Sequence, residues 1–65
     1  MILVNDRERP LREGTTIHDL LFEMDPRMPI AVVKIAGAHV PRRTWKTRVL
    51  QDGEEVRVVY IIAGG

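Results

Sequence analysis

The sequence has no cysteine. That excludes a disulfide framework, a thiolate nucleophile and cysteine-ligated zinc, and it leaves the redox compartment unread. It also has no apolar run approaching the ~20 residues that span a membrane. Its start, Met1 to Arg7, lacks the basic opening and apolar core of a secretory signal. A cytoplasmic protein without membrane contact is expected. An excess of one charge is missing too: ten Lys and Arg stand against nine Asp and Glu, for a net charge of +1. That balance argues against nucleic-acid binding. Length is short as well. Sixty-five residues make one domain, 1–65. A chain of that size buries only about 60% of its unfolded surface, which leaves little room for a deep catalytic pocket.

What is present begins at the C-terminal end. Val56, Val58 and Tyr60 alternate with Arg57, Val59 and Ile61, the period-2 pattern of a strand. If Val56 and Val58 face the core, Val59 and Ile61 face away and offer a docking stripe for a partner, unless another strand or loop covers them. Ile62-Ala63-Gly64-Gly65 follows. Glycine without Cβ fits a slot where side chains would collide. Extended, residues 62–65 reach roughly 13 Å at ~3.3 Å per residue. A flexible tail that carries its end into a partner is the functional reading, and a frayed terminus is the plain one.

Upstream, Ile2-Leu3-Val4 reads as a strand and Asn5-Asp6 as a turn. Glu8 to Arg12 returns as an edge strand that tolerates Pro10, with Leu11 inward. Thr16 caps a helix, and Asp19 completes a capping box. Ile17, Leu20, Leu21 and Met24 form its apolar stripe, Phe22 is assigned to the edge of the core, and Asp25-Pro26 ends the helix. Ile30 to Ala36 is a strand with Val33 and Ile35 on one side and Val32 and Lys34 on the other. After Gly37, residues 39–41 form a short strand. Arg42 to Trp45 forms a loop or a single helical turn, with Trp45 over the core. Val49-Leu50 is a brief strand or loop, and Asp52-Gly53 is a turn into the last strand. The order predicts an α+β fold: a mixed four- to five-stranded sheet with one main helix on one face, its first and last strands parallel neighbours. This is the β-grasp, or ubiquitin-like, arrangement.

No catalytic constellation is visible. His18 and His39 lack nucleophile–base or metal-ligand spacing and read as surface or structural residues; no metal site and no bound cofactor are expected. Arg42, Arg43, Lys46 and Arg48 read first as a solvated face. The alternative is that they steer docking onto an acidic partner.

The helix start Thr16-Ile17-His18-Asp19-Leu20-Leu21, the Val40-Pro41-Arg42-Arg43-Thr44-Trp45 segment, the Asp52-Gly53-Glu54-Glu55-Val56 turn and the Ala63-Gly64-Gly65 end resemble the ThiS sulfur carriers of thiamine biosynthesis. The resemblance covers the whole chain. It departs at Asn5-Asp6-Arg7 and Ala36-Gly37-Ala38, where Asn-Gly or acidic residues would be expected. The resemblance implies that an E1-like (ThiF-like) adenylyltransferase activates Gly65 with ATP and magnesium, and that a cysteine-desulfurase system supplies sulfur. A thiazole synthase (ThiG-like) then draws sulfur from the resulting thiocarboxylate. Gly64, Ala63 and Ile62 would be read as the tail; the candidates for partner docking remain those given by alternation and charge, Val59, Ile61, Arg42 and Arg43. Three alternatives stay open: a molybdopterin-synthase small subunit (MoaD-like), a ubiquitin-like protein modifier, and a β-grasp interaction module with an inert tail.

Overall fold

The structure, a computed structural model, describes residues 1–61. The tail assignments at Ile62, Ala63, Gly64 and Gly65 lie outside the described residues. Seven elements follow in chain order: β1 (Ile2–Val4), β2 (Arg7–Arg9), α1 (Ile17–Met24), β3 (Ala31–Ile35), β4 (Ala38–Val40), a 3₁₀ turn (Arg42–Thr44) and β5 (Glu55–Tyr60). They build one mixed sheet in the order β2-β1-β5-β3-β4. β5 is central, parallel to β1 (Val4 opposite Val56) and antiparallel to β3 (Val33 opposite Val58). The expected β-grasp architecture is what the chain adopts.

Local chemistry accounts for each element. The β1–β2 hairpin closes through Asn5 and Asp6, both at positive φ (50° and 68°). Such a pair matches the twist of flanking strands, and Asn and Asp tolerate it better than most residues. The β3–β4 hairpin uses Ala36 and Gly37 in the same way. β2 is shorter than the Glu8 to Arg12 edge strand expected, because Pro10 has no N–H to continue the ladder. Leu11 lies beyond β2 and still packs against the core. β3 likewise starts at Ala31 rather than Ile30, and Val49 makes only an isolated bridge, to Thr16.

At the start of α1 the Thr16 hydroxyl accepts from the Asp19 N–H at 3.1 Å, and the Asp19 carboxylate accepts from the Thr16 N–H at 3.2 Å. These bonds satisfy two amides with no partner inside the helix. Asp25, in extended conformation before Pro26, ends it. Ile17, Leu20 and Leu21 pack with Ile2, Val4, Val33, Ile35, Val56 and Val58 of the sheet, closed by Trp45 and Leu50. Trp45 is 4% exposed, and its indole N–H donates to the Val40 carbonyl at 3.1 Å. Phe22 is not at the core edge as expected: it is 52% exposed. Eight helical residues cover this small sheet with the Ile17–Met24 stripe alone, and Phe22 falls off it.

Candidate functional site

β5 ends where the chain passes to its last residues. Its inward residues Val56 and Val58 are 3% and 4% exposed, whereas Val59 and Ile61 are 52% and 51% exposed. Nothing among the described residues covers the outward pair, so the stripe expected from the alternation is open. The register widens it. Val32 stands opposite Val59, and the Ile61 N–H donates to the Ile30 carbonyl at 2.8 Å. Ile30 is 61% exposed and Val32 half-buried. Four β-branched side chains thus form an apolar patch on the face opposite α1, at the root of the tail. Sequence reasoning named Val59 and Ile61 but missed Ile30 and Val32. Alternation puts Ile30 on the same side as Val32, but only the register of β3 with β5 sets the two beside Val59 and Ile61.

Side-chain chemistry fixes the strand that carries this patch. β1 turns away after Val4, yet its ladder with β5 continues. The Asn5 N–H donates to the Val56 carbonyl at 2.9 Å, and its carboxamide then takes both backbone groups of Val58. At the entry to β5, Glu54 accepts both Arg48 guanidinium nitrogens, at 3.0 and 2.6 Å, and the Gln51 N–H at 2.6 Å. The hydrogen bond from Arg48 holds the Glu54 carboxyl below its ordinary range. Partial burial opposes that shift, and the Gln51 amide and the Arg48 charge reinforce it.

Arg42 and Arg43 do not share the apolar patch. With His18, Met28, Trp45 and Lys46 they line a concavity of about 500 Å³ beside α1. The four docking residues named from the sequence therefore fall on two surfaces. His39 is exposed on β4, and His18 stands beside the basic turn. Among the described residues no three His, Asp or Glu gather closely enough to hold a metal ion, and no helix is long and apolar enough to cross a membrane. Among the described residues no nucleophile–base pair accompanies the patch. An exposed apolar patch of this kind suits binding of a partner surface.

Comparison with known proteins is consistent with this geometry. A family model described as the ThiS family matches residues 2–65. The chain is 38% identical over 64 residues to the sulfur carrier protein ThiS of Escherichia coli (strain K12), covering 98% of this chain and 97% of that protein. A crystal structure of the thiamine biosynthesis protein ThiS from Geobacter metallireducens superposes with a TM-score of 0.79 at 21% identity. It covers 98% of this chain and 97% of the other, a likeness of fold.

Proposed function

The chain belongs to the ThiS family, and on that premise we propose that it is a sulfur carrier whose C-terminal glycine other enzymes charge and unload. An E1-like, ThiF-like enzyme adenylates Gly65: a carboxylate oxygen attacks the α-phosphorus of ATP and pyrophosphate leaves. A carboxylate is a poor electrophile, and the acyl adenylate gives its carbonyl carbon a good leaving group. A persulfide whose outer sulfur comes ultimately from a cysteine desulfurase displaces AMP to give an acyl disulfide; a thiol then reduces the S–S bond, ending as a disulfide, and the released thiocarboxylate supplies a ThiG-like thiazole synthase. The chain has no cysteine and cannot hold a persulfide itself.

One observation carries the reading. The family match runs through the diglycine, and the strand leading into it is the central one, held on both edges by β1 and β3. Pairing with β3 through Tyr60 and with β1 at its start fixes β5, so a partner that seats on this strand meets a surface of defined shape. Gly64 and Gly65 present no Cβ to the enzyme closing around the reacting carbonyl. The open patch of Ile30, Val32, Val59 and Ile61 is the surface on which the activating enzyme seats the body of the carrier.

The test is mass spectrometry of the chain co-expressed with its host's activating enzyme. The expected result is one oxygen-to-sulfur exchange located on Gly65. An unchanged mass under those conditions rejects the carrier reading. Isopeptide adducts on lysines instead would make the chain a protein modifier.

A further inference from the structure

The concavity beside α1 is lined by the half-buried Met28 and by Trp45, which is 4% exposed, together with Arg42, Arg43, Lys46 and His18. It contains no carboxylate. Arg9, Arg27, Arg48 and Arg57 are each paired with an acidic side chain, whereas Arg42, Arg43 and Lys46, like Arg7, Arg12 and Lys34 elsewhere, have no salt-bridge partner among the described residues. Three fixed positive charges stand close together in a chain whose net charge is only +1.

The topology sets this cluster at the tail's end of the molecule. β4 runs antiparallel to β3, from Ala38 opposite Ile35 to Val40 opposite Val33. It therefore delivers Pro41 and Arg42 toward the start of β3, where Ala31 faces Tyr60 and β5 finishes. From the other side, Met28 lies two residues before Ile30, whose carbonyl holds the Ile61 amide. An enzyme that takes the tail meets the apolar patch on the sheet face and this basic concavity on the helix face, one on each flank of the tail root.

We propose that the concavity docks an acidic segment of the activating enzyme, with its carboxylates against Arg42, Arg43 and Lys46 and an apolar side chain on Met28 and Trp45. The inference rests on the carrier reading and names a second contact for it. Charge complementarity argues for this occupant. A carrier not yet loaded with sulfur brings a terminal carboxylate toward bound ATP, so two anions must approach each other. In a site of reduced dielectric that repulsion is several-fold larger than in water. A cationic surface beside the tail root, facing acidic groups outside the nucleotide site, offsets it during the encounter. Met28 suits such a contact, since an unbranched thioether adapts to the side chain it receives.

The experiment measures association of the full chain with its host's purified activating enzyme by stopped flow at low and high salt. Three variants are compared: R42E/R43E, K46E, and R7E/R12E as a charge-matched control. Arg7 and Arg12 are exposed, and Arg7 lies on β2, the sheet edge away from β4. Thermal melts establish that each variant is folded. For R42E/R43E, association is expected to slow about tenfold at low salt and to lose most of its salt dependence, as removal of a steering patch requires. K46E follows in the same direction with a smaller drop, and the control moves little. Equal slowing by R7E/R12E, or wild-type rates for R42E/R43E, overturns the site while sulfur loading of the wild type still stands. If the wild type binds the enzyme but never acquires sulfur, the carrier reading falls first and this site with it.

Discussion

The Asn5 side chain substitutes for a strand residue opposite Val58. Its Nδ2 donates to the Val58 carbonyl at 3.1 Å and its Oδ1 accepts from the Val58 N–H at 2.8 Å. Both backbone groups of the residue just before Val59 are thereby satisfied, 53 positions along the chain. Replacing Asn5 with Ala removes both partners and leaves a residue with a Cβ at φ 50°, where Asn is better tolerated. The expected loss is about 1–3 kcal/mol, read as a lower urea midpoint at unchanged slope. Asn5→Asp keeps the acceptor, loses the donor and should fall between the two.

Glu54 makes stability depend on pH. Its folded pKa is depressed, first by the hydrogen bond from Arg48. A depressed carboxyl stabilises the fold fully above its unfolded pKa of about 4.3, and that stabilisation is lost as pH falls through the lower folded value. Urea titrations from pH 6 down to pH 2.5 should therefore show wild type losing stability more steeply than Glu54→Gln below about pH 4.3. Parallel profiles would mean that the Arg48–Glu54 pair contributes nothing to the acid limb.

Much of the fold was legible in the sequence because its determinants are local. The Thr16–Asp19 capping box is a three-residue spacing, the Asn5-Asp6 and Asp52-Gly53 turns are dipeptides, and the inward and outward sides of β5 follow from alternation. The misreadings share a cause. For Phe22, a helical pattern shows which side chains are able to be buried, not how wide the facing sheet is, and the residue is exposed. The Asn5–Val58 pairing and the extension of the patch to Ile30 and Val32 depend on register between segments far apart in the chain. The concavity was half legible. Its arginines form a visible run in the sequence, but only the antiparallel return of β4 brings them to Met28 and His18.

The patch beside the tail predicts a separation of binding from folding. Val59 is 52% exposed and lies outside the core, so Val59→Asp should cost at most about 1 kcal/mol of stability, mainly through poorer strand propensity. Affinity for the activating enzyme should fall at least tenfold, chiefly through faster dissociation, because a carboxylate then stands within an apolar contact. Unchanged affinity would remove the patch from the interface.

Gly65→Ala addresses the tail itself. An added methyl group next to the reacting carbonyl obstructs both the closing enzyme and the incoming nucleophile. Pyrophosphate release in the presence of the activating enzyme should slow markedly, while the thermal melt of the carrier stays at the wild-type value. Equal adenylation rates for the two proteins would show that the slot does not require glycine.

Tyr60 stands at the root of the tail, packed against the core, and its hydroxyl is buried without a hydrogen-bond partner among the described residues. Leaving such a group dry costs about 1–3 kcal/mol, whereas the ring contributes packing that phenylalanine preserves. Tyr60→Phe should therefore match the wild type in stability or exceed it by up to about 1 kcal/mol, measured as the urea midpoint. The Val56 and Val58 contacts and the pairing of residue 60 with Ala31 are unaffected by the change, so sulfur loading on Gly65 should proceed at the wild-type rate. A destabilisation of about 1 kcal/mol or more would instead mean that the hydroxyl holds a partner, an ordered water being the simplest, and that this bond helps fix the end of β5.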